Sequence, residues 1–185
     1  TPRFDKRNSQ GLTEFGIEMI QEMERLGMIV DVSHLSDGGF WDVLHHTTQP
    51  FVASHSDAAS ECNVCRNLTD DMIRALADRG GVMGLNYCYD FLTETDKPAA
   101  LSADTSIFMD AKKQTKKISR MEDMVRHIKH IVNIGGVEVC GLGSDFDGIN
   151  NSVEFGNASG VQQLYEALVK SGFSEDDADK IFYKN

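Results

Sequence analysis

The chain has no apolar run approaching the ~18 residues that a membrane-spanning helix needs, so no such span is expected. It opens without a basic-then-apolar segment, and no secretory leader is expected at its start. Positive charge is scarce: 18 Lys and Arg stand against 29 Asp and Glu, a formal net charge of −11. A nucleic-acid surface needs Lys and Arg to neutralise phosphate, so no nucleic-acid partner is expected. Cysteine is sparse, with four in 185 residues. Cys62 and Cys65 form one C-x-x-C, but the second pair of a zinc knuckle is missing and no apolar redox-type helix follows directly. They read as incidental thiols in a loop. Cys88 and Cys140 lie in or near strand-like runs and read as small buried fillers. A reducing, cytoplasmic setting is the default for such a chain.

What is present is enough apolar residue, 41%, to bury the core of one domain. The pattern alternates helix and strand. Thr13 can cap a helix whose apolar face is Phe15, Met19, Met23 and Leu26, with Gly27 as its stop. A strand follows from Met28 and ends at His34. Ser36 can cap a helix carrying Phe40, Val43 and Leu44. A second strand starts at Pro50 and ends at His55, and a polar loop runs from Ser56 to Leu68. Thr69 caps a helix with Ile73 and Leu76 inward, then Val82 to Tyr87 reads as a third strand. The polar stretch from Thr93 to Ser119 reads as an insertion. A helix from about Met121 to Ile134 buries Met124, Val125, Ile128, Ile131 and Val132, and a fourth strand runs from Val137 to Asp145. Two helices close the chain, one with Leu164, Tyr165 and Leu168. The other is capped by Ser174 with Asp177 at the capping-box position.

Four strands, each followed by helical material, predict parallel pairing. A closed β/α barrel needs eight strands and typically ~250 residues. The expectation is therefore an α/β fold that is half of a TIM-type (β/α)8 barrel, with residues 1–185 as its carboxyl-terminal half. A small open α/β sheet is the alternative. The chain begins Thr1-Pro2-Arg3 without Met, and no strand precedes its first helix, which favours the fragment. Half a barrel leaves strand edges and apolar faces unpaired, so self-association is expected.

Residues at the carboxyl ends of parallel barrel strands converge on the face where such barrels do chemistry. His34 and His55 end successive strands, each directly after a serine. Neutral imidazole is a common ligand for zinc and similar metals, although either histidine could instead cap a strand end by hydrogen bonding. Asp145 ends the glycine-rich fourth strand, placed to take a proton from an activated water or to bind metal. Asp147 should share its side by alternation and reads as a turn former. Arg66 could clamp a carboxylate by two parallel bonds, but an exposed arginine is the commoner case. His45, His46, His127 and His130 read as surface residues, with Asp123 four before His127 as a surface ion pair. Asp31 is odd in an apolar run and is expected to hydrogen-bond a neighbouring strand.

The text Gly11-Leu12-Thr13-Glu14-Phe15-Gly16, Leu26 to His34, Ser54-His55-Ser56, Arg66 to Asp71 and Gly143 to Gly148 resembles the membrane (renal) dipeptidase family of zinc peptidases. Order and spacing match over nearly the whole chain. The resemblance implies a β/α barrel with two zinc ions that hydrolyses dipeptides and tolerates a D-residue at the carboxyl end. It implies that His34 and His55 bind one zinc, that Arg66 holds the dipeptide carboxylate and that Asp145 handles the proton of the attacking water. It also implies a His-x-Asp pair, a bridging Glu and a substrate-orienting histidine on earlier strands. Those earlier strands are not in these 185 residues, so the chain supplies ligands for one ion only, and alone it is expected to be inactive. A non-enzymatic barrel fragment or binding module, or another barrel amidohydrolase, is the competing reading.

Overall fold

The computed structural model describes residues 9–94 and 117–185. Of the expected insertion from Thr93 to Ser119, residues 95–116 lie outside the described residues. Helix α1 (Glu14–Arg25) starts where the Thr13 hydroxyl accepts the Gly16 N–H, and Gly27 ends it at φ +75°. Much of its apolar face is open to solvent. Phe15 is 70% exposed and Leu26 56%, and Ile20 is the buried residue. The stripe is real, but only part of it finds a partner, in α2 (Asp37–His46). Ser36 caps α2 through the Gly39 N–H.

Strands β1 (Val52–Ala53), β2 (Val82–Leu85) and β4 (Cys140–Leu142) form one parallel sheet in the order β1-β2-β4. The run before His34 joins this sheet beside β1 through one parallel bridge, Asp31 to Val52. Val52 N–H donates to Val30 O, and Val32 N–H donates to Val52 O. All expected pairings are thus parallel. The first strand is shorter than expected because the chain turns at Ser33 and His34. The fourth starts later, because Val137–Val139 form a tight 3-10 turn after Gly136 ends the preceding helix at φ +87°.

Helix α3 (Asp70–Asp78), capped by Thr69, and helix α5 (Met121–Gly135) cover one face of the sheet. The core there is Met83, Leu85, Ile73, Leu76, Ile128 and Ile131, each fully buried. Three short elements were not expected. They are the single-turn α4 (Tyr89–Leu92) and a parallel pair, β3 (Ile118–Ser119) with β5 (Ser152–Val153). Helices α6 (Gln162–Lys170) and α7 (Glu175–Asp179) follow, with the expected Ser174–Asp177 capping box. A wider π-type turn at Lys180–Lys184 packs against β4. All four cysteines are free; Cys62 and Cys140 are buried, Cys65 and Cys88 half-buried.

The His127 reading needs correction. The ring is fully buried, its Nδ1 accepts the Ala58 N–H at 3.2 Å and its Nε2 donates to Leu92 O at 3.1 Å. His130 is also drawn inward, between Asp70 at 2.8 Å and Glu61 at 3.3 Å. His45 and His46 are exposed, as expected.

Candidate active site

The carboxyl ends of the parallel strands bring the two strand-end histidines together. The rings of His34 and His55 lie 4.9 Å apart between centroids, tilted by 58°. Arg66 Nη2 donates to the carbonyl of His55 at 3.3 Å. Asp145 is close enough to His34 and Arg66 for their charges to interact. So His34, His55, Arg66 and Asp145 share one edge of the sheet, and Asp147 lines the cleft beside Asp145. The chain turns at Asp145, with Gly148 N–H returning to Asp145 O, so the alternation that would align the two acids is lost. Asp147 is exposed on the turn.

Backbone conformation marks the same residues. Among the described residues, the non-glycine positions with positive φ are His34 (+72°) and Asp145 (+57°). A left-handed non-glycine residue costs energy and persists where its surroundings hold it. Close approach of the strand ends adds to this constraint. A Cβ on Gly143 would collide with the Ser54 carbonyl, and one on Gly84 would meet the same oxygen. These two glycines let β1, β2 and β4 converge under the site.

A polar network holds the edge from behind. Asp31 Oδ1 accepts the N–H groups of Ser33 and Ser54, and Oδ2 accepts the Ser54 hydroxyl. The Ser54 oxygen stands 2.8 Å from His55 Nδ1. The Ser33 hydroxyl accepts the His55 N–H at 3.0 Å. Burial opposes the charge on Asp31, but the Ser54 hydroxyl and the backbone donors prevail and hold its pKa below the ordinary value. The expected bond from Asp31 to a neighbouring strand is therefore present. For His34, desolvation first, then the charge of Arg66 and the neighbouring His55, lower the pKa, while Asp145 and Asp31 act the other way. A neutral imidazole is favoured, which is the form that binds metal.

The sequence left Arg66 as an exposed cation, and the structure draws it inward. Its guanidinium lies 5.5 Å from the Phe91 ring centroid, and its Nε is buried with no hydrogen-bond partner. Burial lowers its pKa, against the attraction of nearby acidic groups including Asp57 and Asp145.

Asn86 has no signal in the sequence that singles it out. It directly follows β2, is fully buried, and its Nδ2 donates to Asp145 Oδ2 at 3.1 Å. Its own N–H donates to Asp57 Oδ1, whose partner atom Oδ2 is buried without a bond. Burial raises the pKa of Asp57 well above the ordinary range.

An open cleft of about 610 Å³ lies beside Asp145, walled by Phe146, Gly148 and Asn157. Among the described residues, no three of His, Cys, Asp or Glu gather into a set that could hold a metal ion by themselves. The two imidazoles fit a metal as part of a larger ligand set.

The chain is similar to several known proteins. A protein of Klebsiella pneumoniae, named for its position in the pqqA 5′ region, is 38% identical over 95% of this chain and 58% of its own length. An uncharacterized dipeptidase of Schizosaccharomyces pombe is 39% identical over 76% of this chain and 29% of its own. A Rhodobacter sphaeroides metallopeptidase, solved with a phosphinate mimic of the dipeptide L-Ala-D-Ala, superposes with a TM-score of 0.80 at 30% identity. That match takes in 98% of this chain and 47% of the solved one. The chain thus spans about half the length of proteins it resembles, or less. The family model for membrane dipeptidase, peptidase family M19, matches residues 1–185. The chain belongs to the membrane dipeptidase family of metallopeptidases.

Proposed function

We propose that residues 1–185 are the carboxyl-terminal half of a TIM-type β/α barrel that hydrolyses dipeptides with two zinc ions. The observation that carries this is the pairing of His34 and His55 at 4.9 Å on the strand-end edge that also holds Arg66 and Asp145. His34 and His55 hold one zinc. The remaining ligands, for both ions, come from sequence beyond these 185 residues, in keeping with relatives of which the match takes in 58%, 29% and 47%. A zinc ion bound there supplies polarisation of a water and of the peptide carbonyl.

The other roles belong to this chain's own side chains. Arg66 binds the dipeptide carboxylate. Its Nη2 is committed to His55 O, but its Nε lies buried without a partner, and the Phe91 ring lies 5.5 Å from the guanidinium. Asp145 is the proton acceptor at Oδ1, with Asn86 fixing its other oxygen. The cleft beside Phe146 gives the substrate room.

Steady-state kinetics of the full-length protein on a dipeptide and on its carboxamide test this reading. The free acid should be the better substrate. Arg66→Ala should cost ~2–5 kcal/mol in kcat/KM for the acid, mainly through KM, and should abolish the preference over the amide. An undiminished preference for the acid in that variant would refute the role of Arg66.

A further inference from the structure

We infer that Asp31 and Ser54 are positioning residues that fix His55 as its Nδ1-protonated tautomer and so reserve Nε2 for the metal. The inference rests on the dipeptidase reading above only for the word metal; the tautomer follows from hydrogen bonds alone. An ionised carboxylate can only accept. Asp31 accepts at both oxygens, from the backbone N–H groups of Ser33 and Ser54 and from the Ser54 hydroxyl. That hydroxyl has one proton, and it goes to Asp31. The 2.8 Å contact between Ser54 Oγ and His55 Nδ1 therefore needs its proton from the ring. Nδ1 donates, and in the neutral ring the lone pair must sit on Nε2.

Two further bonds hold the ring's backbone. The His55 N–H donates to Ser33 Oγ, and the Ser33 N–H returns to Asp31 Oδ1. One carboxylate thus secures the ends of both histidine-bearing segments and orients one ring. A carboxylate acting through a histidine's second nitrogen makes that histidine a more basic ligand. Here it acts through an interposed serine. The two serines that precede His34 and His55, and the acid that interrupts an apolar run, form one device.

The test uses the full-length protein labelled with ¹⁵N-histidine. With metal removed, the His55 resonances should show Nδ1 protonated and Nε2 bare. Ser54→Val removes the hydroxyl and should release the ring to a mixture of tautomers. It should also weaken zinc binding by about 10–100-fold. Ser54→Thr keeps the hydroxyl and should restore both. An Nε2-protonated ring in the native protein, or a spectrum and zinc affinity unmoved by Ser54→Val, would overturn the inference. A full-length protein that binds no zinc would sink the dipeptidase reading, while the spectrum still decides the tautomer.

Discussion

His127 shows what single residues contribute and how they are misread. Its spacing from Asp123 suggests a surface ion pair, yet Asp123 instead accepts from Thr93 Oγ1 and pairs with Arg126. The better guide was the stripe of Met124, Ile128 and Ile131, on whose face His127 also falls. Burial dominates its environment and lowers its pKa to about 4 from an ordinary 6.5, against the pull of its bond to Leu92. The ring is therefore neutral in the folded state and pins the loop carrying Arg66 to the end of α4. Stability from this group is complete above about pH 6.5 and is lost as pH falls through about 4, because the unfolded chain takes the proton more readily. The loss should reach ~3 kcal/mol. Denaturant unfolding of the full-length protein at several pH values should show this slope, and His127→Gln should remove it. Equal slopes in the two proteins would contradict the account. Asp31 is the opposite case. A charged residue in an apolar run is legible as an anomaly, and its partners Ser33 and Ser54 flank the histidines in plain view. Asn86 and Asp57 carried no such mark, since only the fold brings β2 against the turn at Asp145.

At the scale of elements, caps and apolar periodicity were good guides to helices. Thr13, Ser36, Thr69 and Ser174 all cap where expected, because each hydroxyl meets an otherwise orphaned N–H. Strand limits were less legible. β-Pairing depends on a neighbour far away in sequence, so Met28–His34 yields one bridge and Val137–Val139 a turn. The short pair β3 and β5 joins segments that no local pattern links. The apolar face of α1 is apolar as expected, and much of it is uncovered. Phe15, Met19 and Leu26 stand exposed, as do Met28 and Ile29 on the segment bordering the sheet. Exposed apolar side chains beside an open strand edge favour association. In the proposed barrel the rest of the chain covers it. The 185-residue piece alone should meet a second copy there, by a two-fold contact. The net charge of −11 opposes this, but it is spread over the surface and screened beyond ~8 Å at physiological salt. Sedimentation at micromolar concentration should show a dimer or larger species that Phe15→Ser with Ile29→Ser disperses. A well-folded monomer would contradict this.

For the whole molecule, parallel order is what makes a site out of distant residues. Strands that all run one way put His34, His55 and Asp145 on a single edge, although 111 positions separate the first from the last. That convergence was legible from the strand-end pattern alone. On the proposed reading, the half-length match to relatives and a donor set of two imidazoles among the described residues fit a site completed by residues beyond this chain. The central claim is that His34 and His55 hold one of two zinc ions. Elemental analysis of the purified full-length protein, after dialysis to remove loosely held metal, tests it most directly. The account predicts two zinc ions per chain, one in His34→Ala and one in His55→Ala, and two in Asp145→Asn. A native protein without zinc, or a His34→Ala variant that keeps both ions, would contradict it.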